Sequence, residues 1–456
     1  MRREIDSKLA PRPSRRRFLQ WSGRAAAASA LAGVAIPRVH AAEDNTIRLA
    51  LIGCGGRGSG AVGNALSSPH GPCRLVAMAD LFSKRIAGAH QALSARYPGT
   101  VDVPLDRRFV GFDAFKKAID VLRPGIDVAL ACTYPAFRIC HLEYAVRKGV
   151  HCFMEKSFAT DPCGVRRIIA AGQEAQKKNL KIAAGLMCRH SVNRQELIKR
   201  IREGQLGPLQ LIRTYRIEAA GPMPRKRPAD LTELLWQIRN WFCFYWLSGG
   251  RWAETSIHQI DEICWFKDAY PVTAHGICGR AANNQDLGQG LDSFSVEYTF
   301  ADGTKAYHIV SYIPNCYPEF ATYVAGTKKS AQVSKAIHVA NTRVYKDHRM
   351  QNDNIEWQSP KETSSCWQIE WDVLLNAIRK DIPLNEADRS ARSNLVDIMG
   401  RSAMHMGRVV TWDEAFKSDF RWCPDIDAIT YDSPPPVKAD AAGWYPVPIP
   451  GQWVEL

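Results

Sequence analysis

A short apolar run that enters a glycine-rich turn is the feature that most restricts the fold of this chain of 456 residues. Residues 47–52 are apolar except for Arg48, and Gly53, Gly55 and Gly58 follow with the spacing G-x-G-x-x-G. Glycine at these positions permits a tight turn, a close approach of the backbone to a pyrophosphate, and close packing of helix on strand. The pattern predicts the first strand, turn and helix of a dinucleotide-binding fold, with phosphates at the helix N-terminus.

A carboxylate stands at the end of the second predicted strand. Residues 74–80 read Arg-Leu-Val-Ala-Met-Ala-Asp, and Asp80 lies 22 residues after the last glycine of the turn. An acid at this place accepts hydrogen bonds from ribose hydroxyls and repels a 2′-phosphate, which predicts NAD. NADP is the alternative, because Lys84 and Arg85 follow closely. The predicted cofactor site comprises Gly53, Gly55, Gly56, Arg57, Gly58, Asp80, Thr133, Glu155 and Lys156.

Residues 1–41 have the composition of an export signal. Residues 14–20 read Ser-Arg-Arg-Arg-Phe-Leu-Gln, and an alanine-rich stretch over 21–37 leads to the small-residue site Val39-His-Ala41. This pattern is typical of a twin-arginine signal cleaved near Ala41, and it predicts a periplasmic protein exported by the twin-arginine translocation machinery. A disordered basic arm is the alternative. The stretch is too short and too rich in alanine to predict a stable membrane span.

The charge of the chain is concentrated in that segment. Residues 1–41 hold nine Lys or Arg and two Asp or Glu, so the net charge falls from +14 to +7 without them. An excess of this size gives no case for nucleic-acid binding. The thirteen cysteines are odd in number and include no C-x-x-C pair. They predict buried free thiols and no metal site.

The order of apolar segments predicts two domains. Residues 45–190 alternate between strands and helices, which predicts an α/β Rossmann domain with a parallel, doubly wound sheet. Residues 191–423 predict an α+β domain for substrate binding and oligomerisation, with a large, mostly antiparallel open sheet and helices on one face. Residues 424–456 form a proline-containing tail that is expected to be extended and to contact a partner. The predicted strands of the second sheet are 209–217, 272–278, 293–300 and 305–312, and the later helices are 367–380 and 387–406.

Several motifs together resemble the Gfo/Idh/MocA oxidoreductase family. They are Met154-Glu-Lys156 at the end of the Rossmann half, Gly249-Gly250, His258-Gln-Ile-Asp261, and residues 408–414 near the C-terminus. The resemblance covers roughly residues 46–417 and is nearest to exported members of the family. It implies an NAD(P)-dependent enzyme of carbohydrate metabolism that acts on CH-OH groups of a sugar, glycoside or cyclitol. By analogy it also implies a homodimer or homotetramer.

The family motif Glu-Lys-Pro corresponds here to Glu155-Lys156-Ser157, in which the proline is absent. In the family the lysine lies near the nicotinamide and the substrate hydroxyl, so the resemblance implies that Lys156 hydrogen-bonds the reacting hydroxyl. Proline would restrict the turn that aims the lysine through its fixed φ angle. Serine leaves the direction of Lys156 less determined.

The second half of the predicted catalytic site comes from one helix. Glu254 and His258 are four residues apart and share a face, and Asp261 follows three residues later. The family places an acid, usually aspartate, and a histidine with this spacing beside the substrate. His258 is expected to be the general base because an unperturbed histidine titrates near neutrality. Asp261 is expected either to orient His258 or to cap the local structure.

The predicted substrate contacts come from two places in the chain. Trp241 and Trp252 belong to an aromatic stretch that suits either sugar rings or ordinary packing. Arg189 and His190 follow the last Rossmann strand and are expected to bind substrate hydroxyls or to lie in an exposed loop.

The predicted reaction is hydride transfer between a secondary hydroxyl and the nicotinamide cofactor. An exported enzyme meets no dependable pool of free NAD, so the cofactor is expected to be tightly bound and recycled within the site. Two alternatives remain open. One is an NAD-dependent glycosidase that oxidises a hydroxyl transiently and eliminates the glycosidic group, and the other is a non-catalytic sugar-binding protein on a dehydrogenase fold.

Overall fold

Two β-sheets organise the chain in the computed structural model, which describes residues 45–219, 224, 226–281, 286–335 and 337–456. The predicted export signal over residues 1–41 lies outside the described residues. Residues 46–456 form a single contact unit that contains both sheets. The predicted domain boundary at residue 190 therefore stays a prediction.

The first sheet has six parallel strands in the order β3-β2-β1-β4-β5-β6. The strand order reverses at β1, and the crevice beyond the carboxyl ends of β1 and β4 is where such sheets bind nucleotides. This confirms the predicted parallel Rossmann sheet. The strands are β1 (Ile47–Ile52), β2 (Cys73–Asp80), β3 (Arg108–Val110), β4 (Val128–Ala131), β5 (His151–Met154) and β6 (Ile182–Ala184).

Helices cover both faces of this sheet, as the apolar runs require. Ala50 and Ile52 belong to one hydrophobic core, whereas Leu49 and Leu51 belong to the core on the other face. The helices are α1 (Gly56–Leu66), α2 (Ser83–Arg96), α3 (Ala114–Asp120), α4 (Pro135–Lys148) and α5 (Pro162–Lys177). The α4 helix begins at a proline and ends at Gly149, whose φ of +74° forms a left-handed cap.

The second sheet has nine strands in the order β14-β13-β12-β11-β7-β10-β9-β8-β15. β7 and β10 run parallel, and the other neighbouring pairs are antiparallel, as predicted. Its strands are β7 (Leu209–Ile217), β8 (Thr273–Gly279), β9 (Ser293–Thr299), β10 (Lys305–Ser311), β11 (Glu319–Gly326), β12 (Ser330–Ser334), β13 (Arg343–Tyr345), β14 (Ile355–Gln358) and β15 (Val410–Thr411).

Two long helices, α9 and α11, pack on the second sheet. Trp252 of α9 contacts Phe294 of β9 and His308 of β10, with ring centroids 5.5 Å and 5.1 Å apart. Tyr298 of β9 donates its hydroxyl hydrogen to the Val396 carbonyl of α11 at 3.1 Å. The helices of this part are α6 (Val192–Arg202), α7 (Glu233–Arg239), α8 (Tyr245–Ser248), α9 (Gly250–Lys267), α10 (Cys366–Arg379), α11 (Ala387–Met406) and α12 (Trp412–Lys417).

The C-terminal tail packs against its own chain, although the sequence led us to expect a partner. Glu455 is fully buried and accepts hydrogen bonds from Arg401 and Ser402 of α11 at 2.9 Å and 2.7 Å. Further back, Tyr445 donates to the Glu233 carboxylate of α7 at 2.6 Å. The tail therefore connects α11 with α7.

All thirteen cysteines lie in the described part of the chain, and all are free thiols, eight of them buried. This agrees with the expectation from their apolar surroundings. None of the helices within the described ranges is long and apolar enough to cross a membrane.

Candidate active site

The glycine turn between β1 and α1 has the geometry that its sequence predicts. Gly53 has a φ of +97°, and a Cβ there would lie 2.7 Å from backbone atoms of Cys132. A Cβ on Gly58 would lie 2.2 Å from the Gly53 carbonyl oxygen. A Cβ on Gly55 or Gly56 would meet no described atom within 4 Å. The turn thus presents open space at the N-terminus of α1, where a pyrophosphate fits.

Asp80 lies at the rim of the cavity beside this turn. Its Oδ2 atom accepts the Cys54 backbone N–H at 2.8 Å, and its Oδ1 atom accepts the Phe82 backbone N–H at 2.9 Å. These bonds fix the carboxylate across the ends of β1 and β2. Because each carboxylate oxygen can accept more than one hydrogen bond, Asp80 can still accept from ribose hydroxyls.

Aromatic side chains, Tyr134 among them, also line the cavity. Tyr134 accepts a hydrogen bond from Arg85 at 2.6 Å, and Trp241 stacks on Tyr134 with ring centroids 4.7 Å apart. The predicted residue Thr133 lines the same cavity. Trp241, which was expected at the substrate, therefore stands behind the nucleotide cavity. The cavity is lined by Ile52, Gly53, Gly55, Ala79, Asp80, Leu81, Phe82, Arg85, Gly111, Phe112, Ala114, Phe115, Cys132, Thr133, Tyr134, Phe137, His141 and Ile238.

Arg57 and Glu155 join the glycine turn to the end of β5. Arg57 Nη2 and Nε donate to Glu155 Oε1 at 2.7 Å and 3.1 Å, and Glu155 is buried. Arg57 also lies over the ring of Trp367, with its Cζ atom 5.9 Å from the centroid. The structure thus joins the two predicted cofactor residues to each other and places Arg57 over a tryptophan of α10.

Lys156 connects the Rossmann half to the helix that carries the other predicted catalytic residues. Its Nζ atom lies 2.6 Å from Glu254 Oε1 and 2.7 Å from the Glu254 backbone oxygen. Ser157, at the position of the missing proline, donates its hydroxyl hydrogen to the Ala253 carbonyl at 2.9 Å. The Lys156–Ser157 peptide bond is cis. Two residues that are distant in sequence, Lys156 and Glu254, therefore form one ion pair.

His258 is buried one helical turn beyond Glu254. Its Nδ1 atom and the Oε2 atom of Glu254 have no hydrogen-bond partner among the residues that the structure describes. Burial, with the nearby His338, Lys156 and Arg216 as further causes, holds the pKa of His258 well below its usual value. The lowered pKa keeps the imidazole of His258 neutral and makes it a weaker base than a solvent-exposed histidine.

A second imidazole, missed in the sequence, faces His258. The rings of His258 and His338 meet edge to face, with centroids 4.7 Å apart. Phe320 and Trp367 surround His338 at 4.9 Å and 6.2 Å. Burial, with Arg216 and Arg194 next in effect, holds the pKa of His338 well below its usual value. His338 follows β12 in a loop without a motif, so no local signal in the sequence marks it.

The expectation that Asp261 orients His258 is wrong. Asp261 accepts two hydrogen bonds from Arg189, both at 2.8 Å, and a third from Ser393 at 2.8 Å. Burial raises the pKa of Asp261, but the Arg189 guanidinium and the Ser393 hydroxyl lower it, and the net effect is a lowered pKa. Asp261 and Arg189 thus form a buried ion pair, and the guanidinium of Arg189 is occupied by this carboxylate.

The two remaining predicted substrate residues belong to the protein interior. Trp252 is fully buried, and its indole N–H donates to the Asp397 carbonyl at 3.1 Å, so its assignment to the substrate pocket is wrong. His190 is also buried, with Nε2 3.6 Å from Glu386 Oε1, and it does not lie in an exposed loop. Aromatic and histidine side chains often pack in cores, which is why sequence alone did not separate the two roles.

Comparison with known proteins gives distant relatives. No family model matches the chain. Among curated proteins, the chain is similar to inositol 2-dehydrogenase of Cereibacter sphaeroides, with 26% identity over 162 residues, which are 36% of this chain and 41% of that protein. The same protein from a second strain gives the same values. The chain thus matches less than half the length of these curated relatives.

Solved structures match over a larger part of the chain. Aldose-aldose oxidoreductase from Caulobacter crescentus, complexed with glycerol, gives a TM-score of 0.61 at 19% identity and covers 80% of this chain and 99% of that one. Scyllo-inositol dehydrogenase from Lactobacillus casei, with bound NAD(H) and scyllo-inositol, gives 0.59 at 20% identity, with coverage of 81% and 99%. At these identities the likeness is one of fold, and it supports the two-sheet architecture.

Proposed function

We propose that this chain, a protein of the Gfo/Idh/MocA type, is an NAD(P)-dependent oxidoreductase acting on CH-OH groups. Its substrate is a secondary hydroxyl of a sugar, glycoside or cyclitol. The observation that carries this proposal is the contact of Lys156, at the end of β5, with Glu254, one turn before His258. It joins the nucleotide half of the chain to an acid and a base from the other half.

The donors and acceptors of this group suit a reacting hydroxyl. An ammonium group has three hydrogens, and Lys156 directs two of them to Glu254, so the third is available to a substrate oxygen. The neutral His258 can accept the hydroxyl proton as the carbon is oxidised. Glu254 Oε2 can accept a hydrogen bond from a neighbouring hydroxyl. When bound, the nicotinamide supplies the hydride acceptor or donor.

The surroundings of His258 support a polyhydroxylated ring as the substrate class. His338 meets the ring of His258, and the apolar rings of Phe320 and Trp367 lie against His338. Sugar and cyclitol rings combine apolar C–H faces with many hydroxyls, which matches this mixture of groups. The inositol dehydrogenases among the similar proteins point to the same class.

We also propose that the cofactor is NAD and that it stays bound after export. The carboxylate of Asp80 at the cavity rim supports NAD over NADP. One apolar cluster supports retention, because it combines cavity residues such as Tyr134 and Ile238 with tail residues such as Ile429 and Tyr445. A cavity wall held by the tail resists opening, which slows dissociation.

One experiment tests the activity. Purified protein is incubated with NAD and a panel of cyclitols, aldoses and glycosides, while nicotinamide absorbance and free sugar are followed. We expect cofactor reduction with at least one polyol ring. Free sugar without net reduction would support the glycosidase instead, and tight sugar binding without either change would support a non-catalytic protein.

Two further measurements address location and assembly. We propose export to the periplasm by the twin-arginine pathway, and replacement of Arg15 and Arg16 by lysine should leave the protein in the cytoplasmic fraction. Native mass spectrometry of the mature protein reports bound nucleotide and subunit number together. A homodimer or homotetramer with one NAD per subunit is the expected result.

A further inference from the structure

The side chain of Arg138 on α4 connects the segments that follow strands β4 and β5 in the candidate site. Its side chain is buried, with 4% exposed. Nη2 donates to the carbonyl of Thr133, which follows β4 and lines the nucleotide cavity. Nη1 donates to the carbonyl of Ser157, the residue after Lys156. One planar guanidinium therefore bridges the cofactor loop and the turn that carries the lysine.

The cost of burying this cation indicates a positioning role. Burial lowers the pKa of Arg138, and the carboxylates of Glu254 and Glu155 oppose that shift. Its direct partners are two loop carbonyls, and its Nε atom has no hydrogen-bond partner in the described part of the chain. An apolar residue of similar volume would fill this space at lower electrostatic cost. Unlike an apolar residue, the guanidinium of Arg138 can hydrogen-bond the carbonyls of Thr133 and Ser157 and so hold them in place.

Ser157 is held from its other side as well. Its hydroxyl donates to the Ala253 carbonyl of α9 at 2.9 Å, and the residue is fully buried. Its carbonyl is held by Arg138. A proline at this place would restrict the turn covalently, whereas serine leaves the restriction to hydrogen bonds.

We propose that Arg138 is a positioning residue that, with Ser157, fixes the turn from which the Lys156 ammonium reaches Glu254 and the reacting hydroxyl. The proposal rests on the proposed function for the part that concerns the hydroxyl. Its structural part, the fixing of Lys156 against Glu254, does not depend on turnover.

The test compares Arg138→Gln with Arg147→Gln, a matched control because Arg147 is exposed on the same helix. Reductive methylation of Lys156 with formaldehyde and borane, followed by mass spectrometry, measures how firmly the ammonium is held. We expect Arg138→Gln to raise the methylation rate of Lys156 about tenfold, the scale of one lost hydrogen bond to a charged group, and Arg147→Gln to leave it unchanged. Where turnover is measurable, kcat should fall more than KM rises.

The second substitution Ser157→Pro tests whether the position of Lys156 can be restored. In the Arg138→Gln background it should return the methylation rate of Lys156 toward the wild-type value, which a general loss of packing would not allow. If Arg138→Gln does not fold, Arg138→Lys, with its compact ammonium in place of the fork, is measured in the same way. An unchanged Lys156 methylation rate in the folded variant overturns the proposal. If the wild type oxidises no substrate, the proposed function fails while the methylation comparison still tests the positioning role.

Discussion

Lys156 Nζ lies 2.6 Å from Glu254 Oε1 and 2.7 Å from the backbone oxygen of the same residue, so a lysine from one sheet and a helix from the other meet in one contact. The resemblance to the Gfo/Idh/MocA family implies an aspartate at the position of Glu254. The longer side chain reaches the lysine without loss of the ion pair.

Removal of the lysine tests this contact. Lys156→Met should lower kcat by about 10²–10⁴-fold, because the reacting hydroxyl loses its positioned proton partner. Steady-state kinetics with the best substrate measures the change. Lys177→Met is the control, since Lys177 is exposed and pairs with Glu174 at the surface. A kcat of the Lys156 variant within threefold of wild type would exclude the lysine from the chemistry.

The pH dependence of activity should reflect the lowered pKa of the buried His258. The base must be neutral, and burial, together with His338, Lys156 and Arg216, holds its pKa well below the usual value. Activity should therefore persist as the pH falls through about 6.5, the usual histidine value, and decline only at lower pH.

Two variants separate this effect from an unrelated ionisation. His338→Gln removes a group that lowers the pKa of His258, so the acid limb of kcat/KM should move to higher pH. His275→Gln, at an exposed position on β8, should leave the profile in place. An acid limb centred near 6.5 in the wild type would contradict the assignment of His258.

Asp80 should set the choice of cofactor. Asp80→Ala removes the acceptor of two backbone N–H groups and the charge at the cavity rim. NAD affinity should fall by about 1.5–3 kcal/mol, the range for hydrogen bonds to charged groups, and NADP affinity should fall less. Fluorescence titration with both nucleotides measures this, and Asp106→Ala, at an exposed site, is the control. Equal losses for both nucleotides would remove Asp80 as the selector.

The backbone architecture could be predicted from the sequence because its signals are local. Apolar runs of strand length, the glycine spacing and the caps around α4 each act within a few residues. Lys156, Glu254 and His258 were also grouped from two short motifs; the structure joins Lys156 to Glu254, and the catalytic role of the group stays a prediction.

Side-chain partners were harder to predict because they depend on which distant elements meet. Asp261 shares a helix face with His258, yet Arg189 from another element takes its carboxylate. Trp241 and Trp252 lie in the same aromatic stretch of the sequence. Trp252 is fully buried in the core, whereas Trp241 stacks on Tyr134 of the nucleotide cavity. His338 reaches the site from a loop after β12, and nothing near it in sequence indicates that position.

Retention of the cofactor should depend on the C-terminal tail. Tyr445 donates to Glu233 and packs on Trp236 and Phe244, which joins the tail to the α7 segment beside the nucleotide cavity. Tyr445→Ala should speed nucleotide release about tenfold, as expected for a lost contact of about 1.4 kcal/mol. The nucleotide left after desalting and the release rate by fluorescence measure this. Trp444→Ala is the matched control because Trp444 is 39% exposed, and equal release rates in the two variants would contradict a role for the tail.

Stability should depend on pH through a buried histidine outside the Lys156, Glu254 and His258 group. His308 of β10 is fully buried against Trp252, with Nδ1 2.8 Å from the Thr214 hydroxyl oxygen, and burial lowers its pKa to about 3. Below about pH 6.5 the unfolded chain binds a proton here that the folded chain does not, so stability falls as the pH falls. The loss is about 1.4 kcal/mol per pH unit for each such histidine, down to the folded pKa.

His308→Gln should reduce this slope by about 1.4 kcal/mol per pH unit between pH 6 and 4. Urea unfolding at several pH values measures the free energy of unfolding, and the slope is informative even where the variant is less stable at every pH. His275→Gln, on the neighbouring part of the same sheet but exposed, should keep the wild-type slope. Equal slopes in wild type and His308→Gln would mean that His308 takes up its proton in the folded chain, and that burial against Trp252 does not keep it neutral.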